Sequence, residues 1–450
     1  MSVLSLAFIV FYLILLILYW SIPAKFKNGL LLIASWLYLA SWSPVYLLFL
    51  IGTCIVSYVA GRFISNTSEE HSRAVKWLSI SIVILLGALI IVKYTSLPLQ
   101  VLGISFFTFQ AVSYVVDVYG GDVEAEKDFI VYALYVSFFA QLVSGPIAKA
   151  KEQIARYKQE KVFDLKRTEK ALILAVYGFF MKMVIADRIG VFVDSVYGNV
   201  AASGRVSIIC AVLLYSVQIY CDFAGYTLIA IGIARSLGIE LPANFKQPYL
   251  SKNIDDFWKR WHISLTSWFR DYLYFPLGGN RKGKARTYIN VLIVFAVSGI
   301  WHGAGLTFVL WGLLHGLLQV FEKAFIKTKK SYRVLTYILV SLLWVLFRAD
   351  SISQAGAILG GIVINDNGFA VSEVLLHGLN TANIVVLLIA MMIMVAVDIA
   401  TYKGIDLIDK LFDMKLIIRW AILYALIFSV IILGVYGSGY DAAGFIYDKF

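Results

Sequence analysis

Long apolar blocks alternate with short polar segments along this chain, and few stretches show the closer alternation of a half-buried strand. A helix needs about 20 predominantly apolar residues to cross a bilayer. Blocks at 4–20, twice within 30–64 around a turn at 41–44, at 78–92 and 101–118 on either side of Pro98, and at 171–186 and 206–236 predict membrane helices. Further blocks at 287–300, 306–321, 335–347, 384–397 and 417–434 extend the series. The block 129–147 does not fit a simple count, because it joins an acidic loop (120–128) to a basic one (149–170). One neighbouring segment must be re-entrant or too short to cross, and the Gly-Pro break in "VSGPIAK" (143–149) marks the irregular piece.

Composition agrees: 60% of the residues are hydrophobic, 15% are charged, and mean hydropathy is +0.81. A soluble domain of this size has to cover its surface with polar groups, so the class is an all-α polytopic membrane protein, read as one membrane domain over 1–450. The net charge of +11 sits in loops between apolar blocks, the signature of cytoplasmic loops rather than of nucleic-acid binding. Lys25 and Lys27, Arg62, Arg73 and Lys76, the 149–170 loop, and Lys403, Lys410, Lys415 and Arg419 are all assigned inside, which leaves both termini outside. Cys54, Cys210 and Cys221 lie in apolar segments without CxxC or Cys/His spacing, so neither disulfides nor a metal site is expected. The first 20 residues lack a basic n-region and read as a retained span.

Ionisable groups at membrane depth cost about 2.5–3.5 kcal/mol on insertion scales and mark cavities. His302 stands in "SGIWHGAG" (298–305), where Gly299, Gly303 and Gly305 permit close backbone approach. Its imidazole suits proton transfer near neutral pH. His262 lies in the charged, aromatic stretch 253–286, where Trp258, Trp261, Leu265, Trp268 and Tyr272 recur at steps of 3, 4, 3 and 4. That spacing predicts an amphipathic interfacial helix, with His262 bordering its apolar face. Asp222, in "QIYCDFAGYT" (218–227), is expected either to pair with a buried Arg, to cap a helix broken at Gly225, or to serve a site directly. His315 follows His302 by 13 residues and would face elsewhere on an unbroken helix, which gives it a supporting role. His71 and His377 read as loop residues. Arg281, Lys282 and Lys284 (in 277–286) form a basic Gly-containing loop, either a cytoplasmic flank or a contact for donor phosphates. P-loop, G-x-S-x-G and H-E-x-x-H patterns do not occur.

"FWKRWHISLTSWFRDYLYFPLGGNRKG" followed by "SGIWHGAGLTFVLWGLLHG" resembles the membrane-bound O-acyltransferase superfamily, in particular its bacterial polysaccharide-acetylating branch. "LGISFFTFQAVSYVVDVY", "QLVSGPI", "YCDFAGYT" and "NFKQPYLSKNIDDFWKRWH" extend the likeness over roughly 90–320, the motif-bearing core. The closing "GFIYDKF" is also similar, with Asp448 and Lys449 as departures. The resemblance implies about eleven spans with re-entrant helices around a thinned centre. It implies acetyl-CoA as acyl donor, no permanently bound cofactor, and an extracytoplasmic SGNH hydrolase-like partner at the bacterial inner membrane. It makes His302 the catalytic histidine and His262 the second polar position. On this reading His302 is general base on a hydroxyl or relays the acyl group, and His262 polarises the thioester carbonyl or holds the donor. Trp258, Trp261 and Trp301 line the path. D-alanyl transfer toward teichoic acid, a transporter of an acylated or lipid-linked substrate, and a non-catalytic scaffold are the competing readings.

Overall fold

The computed structural model describes residues 1–67, 70–95, 101–143, 145–326, 331–364 and 377–436. Its regular elements are helical throughout those residues, as a bilayer demands of a chain whose backbone groups must be satisfied within each segment. Among the described residues, six helices are long and apolar enough to cross a membrane: Pro44–Asn66, His71–Tyr94, Arg205–Ser236, Leu306–Phe325, Thr381–Tyr402 and Leu416–Leu433. Leu6–Ser21 and Ile352–Ile364 are shorter apolar helices, and Phe129–Leu142 is a further short apolar stretch, helical in two pieces. The chain forms two compact units, one of Met1–Ala175 with Ile229–Ala243, the other of Val176–Leu228 with Asn244–Phe450.

In the first unit the helix Ile104–Gly120 is buried nearly all round, and Tyr114 packs into the notch left by Gly61. A Cβ at Gly61 would come within 2.7 Å of that ring. The Tyr114 hydroxyl accepts from the Glu126 amide at 2.9 Å, while Tyr132 donates to Ser57 at 2.6 Å. Polar groups are thus paired side by side inside an apolar bundle. The troublesome block 129–147 breaks earlier than its Gly-Pro pair: Phe129–Ser137 ends at Phe138, a four-residue turn Phe139–Leu142 follows, and 145–149 is not helical. Ser144, the Pro98 turn and the tail with Asp448 and Lys449 lie outside the described residues.

In the second unit a π-helical turn, Phe180–Ala186, joins Leu165–Phe179 to Asp187–Gly198. Gly225 of Arg205–Ser236 abuts this turn; a Cβ there would lie 2.8 Å from the Gly178 carbonyl and 3.1 Å from the Lys182 nitrogen. The close approach lets Lys182 reach both Asp222 at 2.5 Å and Asp187 at 2.6 Å, with all three side chains at most 5% exposed. Asp222 therefore pairs with a lysine rather than an arginine, and its helix continues unbroken through Gly225. His71 is not in a loop but begins His71–Tyr94, and Ile352–Ile364 is a helix that the block pattern did not single out. His377 does sit in a turn, its Nδ1 3.1 Å from Ser195 Oγ.

Replacing Lys182 by Met would leave two carboxylates facing each other in a buried space. Breaking a buried ion pair from one side costs about 3–5 kcal/mol. Unfolding in detergent should show a loss of that order for Lys182→Met and partial recovery in Lys182→Met/Asp222→Asn; an unchanged single variant would refute the triad's role.

Candidate active site

The amphipathic helix expected over 253–286 does not run through. It is divided into Ile254–Trp258, Ile263–Phe269 and a π-helical turn Arg270–Tyr274. The break is at His262, whose φ of 44° puts a non-glycine residue in the left-handed region. Asn244 holds it there. The Asn244 carbonyl accepts from Ile263 N at 2.9 Å, and its side-chain Oδ1 accepts from Ser264 N at 3.3 Å and Ser264 Oγ at 2.9 Å. His262 Nδ1 lies 3.1 Å from the same Oδ1. An amide oxygen only accepts, so Nδ1 carries the ring proton and Nε2 is the acceptor. Phe223 meets the imidazole edge-on at 4.7 Å. Burial pushes the His262 pKa down to about 3, so the ring is neutral at physiological pH.

His302 ends the helix Gly283–His302, and Leu306–Phe325 returns beside it. Two glycines bring these helices into backbone contact. A Cβ at Gly299 would overlap the Phe308 carbonyl, and one at Gly312 the Phe295 carbonyl. Gly303 leaves room for the Phe308 ring, whereas a Cβ at Gly305 would meet only ordinary contacts. The His302 ring is enclosed by Trp301, Trp311 and Phe347 at centroid distances of 4.7, 5.1 and 5.2 Å.

His262 and His302 line one cavity of about 290 Å³, together with Trp258, Trp261, Ser298 and Gln319. At its exposed side stand Asp255, Lys259, Arg270 and Lys323. Lys259 is held above the usual lysine pKa by its hydrogen bond to Asp255, 2.5 Å away. The result is a buried end with two imidazoles and a solvated end with three cations and Asp255. Trp301 sits behind the lining, near both histidines. His315 is fully buried behind Trp258 and Trp311, at 5.0 and 5.2 Å, and Asp222 is committed to Lys182. Arg281, Lys282 and Lys284 are exposed and do not line the cavity. Among the described residues no cluster of three His, Cys, Asp or Glu side chains is arranged to hold a metal.

Sequence reasoning missed Lys182, Asn244 and the cationic rim. Lys182 was detectable, since the rule applied to Asp222 applies equally to a lysine inside "YGFFMKMVIAD" (177–187). Asn244 carried no such signal, because its role depends on a turn made by residues near 262.

The model of the membrane-bound O-acyltransferase family matches residues 33–347. The chain belongs to that family. This O-acyltransferase is 33% identical over 412 residues to a probable alginate O-acetylase of Pseudomonas syringae pv. tomato, covering 86% of this chain and 78% of the relative. It is 33% identical to a peptidoglycan O-acetyltransferase of Helicobacter pylori, covering 77% and 76%. A teichoic acid D-alanyltransferase of Bacillus subtilis is 31% identical over 243 residues, 52% of this chain and 61% of the relative. Family membership and the apolar helices together make the acyltransferase a multi-pass membrane protein.

A neutral buried histidine has a pH signature. Unfolded, His262 binds a proton below about 6.5; folded, it does so only near 3. Between these values unfolding takes up a proton, so stability falls as pH drops through the window, by up to about 1.4 kcal/mol per pH unit. His262→Gln should flatten this slope in detergent unfolding measured from about pH 7 to about pH 4. Parallel slopes in the two proteins would contradict it.

Proposed function

We propose that this O-acyltransferase takes an acetyl group from cytoplasmic acetyl-CoA and passes it across the bacterial inner membrane. The acceptor is a separate extracytoplasmic acyltransferase of the SGNH hydrolase-like type, which O-acetylates a cell-surface polysaccharide or peptidoglycan. The observation that carries this reading is one cavity shared by His262 and His302 at its buried end and by Lys259, Arg270 and Lys323, with Asp255, at its rim. A thioester entering phosphates-outward would leave its diphosphate among Lys259, Arg270 and Lys323, and its acyl carbon near the imidazoles. We place the phosphate contacts at these three cations rather than at Arg281, Lys282 and Lys284, which do not line the cavity. The names of the alginate and peptidoglycan relatives support the acceptor class. The basic loops support a cytoplasmic donor face with both termini outside.

In this mechanism an acceptor hydroxyl attacks the thioester carbonyl. His302 removes the hydroxyl proton as the C–O bond forms, and returns it to sulfur as the C–S bond breaks and CoA leaves as a thiol. His262 does not polarise the carbonyl. With Nδ1 committed to Asn244, its Nε2 presents a lone pair, suited to accept a hydrogen bond from the hydroxyl and hold it in line. Trp258 and Trp261 wall the acyl group from water.

Purified protein in nanodiscs with radiolabelled acetyl-CoA and the partner should release CoA. His302→Ala should lower turnover by about 10²–10⁴-fold; unchanged turnover would remove His302 from the chemistry. If D-alanyl carrier substrate is consumed and acetyl-CoA is not, the reading suggested by the D-alanyltransferase relative takes its place. The rim makes a separable prediction: Lys259→Gln/Arg270→Gln/Lys323→Gln should raise KM for acetyl-CoA at least about tenfold with kcat nearly unchanged. An unaltered KM would show that the donor enters elsewhere.

A further inference from the structure

A second cationic site lies in the first unit. The 149–170 segment carries eight basic residues against four acidic ones. Three of its cations, Arg156, Lys161 and Arg167, gather with Lys27 of the helix Ala24–Ala40, and what they bond is mostly main chain. Lys27 Nζ donates to the Lys161 carbonyl at 3.1 Å, Lys161 Nζ to the Arg156 carbonyl, Arg167 Nη2 to the Val162 carbonyl at 2.7 Å, and Arg156 Nη1 to the Glu240 carbonyl at 2.7 Å. Of the nearby carboxylates, Glu152 pairs with Arg156 at 3.3 Å, Glu240 with Arg235 at 3.0 Å, Asp164 Oδ1 accepts from the Arg167 main-chain amide at 3.0 Å, and Glu160 acts on Lys27 at longer range. Burial, and then the positive charges of Arg167 and Arg156, push the Lys161 pKa below the usual lysine value.

The surroundings of the cluster are those of a bilayer surface. The Trp20 ring has Lys27 Nζ at 4.4 Å and Arg167 Cζ at 5.8 Å from its centroid, while Phe163 meets the indole at 5.3 Å. Val162, Phe163 and Leu165 expose 72, 51 and 61% of their surface beside these cations. Tryptophan, exposed apolar side chains and basic groups together are the composition found where chain meets headgroups. Backbone carbonyls neutralise no charge, so the converging cations create a potential that an anion would relieve, and the adjacent apolar side chains call for acyl chains.

We propose that Lys27, Arg156, Lys161 and Arg167 form a binding site for the phosphate headgroup of an anionic phospholipid, whose acyl chains lie against Val162, Phe163 and Leu165. The full-length protein in neutral detergent would be titrated with short-chain phosphatidylglycerol, phosphatidylcholine and inorganic phosphate while its unfolding temperature is followed. Phosphatidylglycerol alone should give a saturable rise, weakened by salt, and Lys161→Gln/Arg167→Gln should raise the half-saturating concentration roughly 10–30-fold. An equal response to phosphatidylcholine, a saturable rise with phosphate alone that Lys161→Gln/Arg167→Gln abolishes, or an unchanged half-saturation for phosphatidylglycerol in that variant would each overturn the site. Should that variant not fold, Phe163→Ser replaces it: several-fold weaker binding is expected, and unchanged binding rules the site out.

Discussion

Water is missing where this chain has most of its mass, and every polar group placed there must find its partner within the protein. The second unit meets that constraint in two ways. Backbone groups are satisfied within helices, and the helices are brought together by glycines until no lipid fits between them. Gly299 and Gly312 do this for the hairpin that ends at His302, and Gly225 does it where Lys182 meets Asp222. The histidines are then positioned by what the helices cannot do: one ends a helix, and the other interrupts one.

The contrast between His262 and His302 follows from these placements. His262 gains a fixed tautomer because its left-handed backbone turns Nδ1 toward Asn244. His302 is set by aromatic walls, with Trp311 arriving from the returning helix. One ring is thus oriented by hydrogen bonding and the other by shape. Two nearby imidazoles held by different forces can perform different tasks at the same pH. That division is consistent with an O-acyltransferase, which must orient a nucleophile and move its proton within one poorly hydrated space.

Much of this was legible in the residues. Apolar blocks located the hairpin around residues 298–305 and most of the long helices, because hydrophobic length is read directly by a bilayer. The intramembrane-charge rule found His302 and Asp222. It was not carried to Lys182, so the only cation considered for Asp222, among three alternatives, was an arginine. The periodicity of Trp258, Trp261, Leu265, Trp268 and Tyr272 misled for a physical reason: the same spacing fits an unbroken helix and two short helices joined at a left-handed residue. A turn that depends on a hydrogen bond to Asn244, 18 positions away, leaves no local trace. Nor could the cationic rim be told from the other basic loops, since only the fold decides which cations border the cavity.

The glycine contacts of the Gly283–His302 hairpin also constrain how this chain can change length. Each helical residue advances about 1.5 Å and turns about 100°. One residue gained or lost between Phe295 and Gly299, or between Phe308 and Gly312, would swing a bulky side chain into the place where two backbones touch. The 277–286 loop, with its exposed Arg281, Lys282 and Lys284, carries no such contact with the cavity. Insertions and deletions among related chains should therefore accumulate in that loop and be excluded from the hairpin, which acts as a ruler for where His302 stands on the cavity wall.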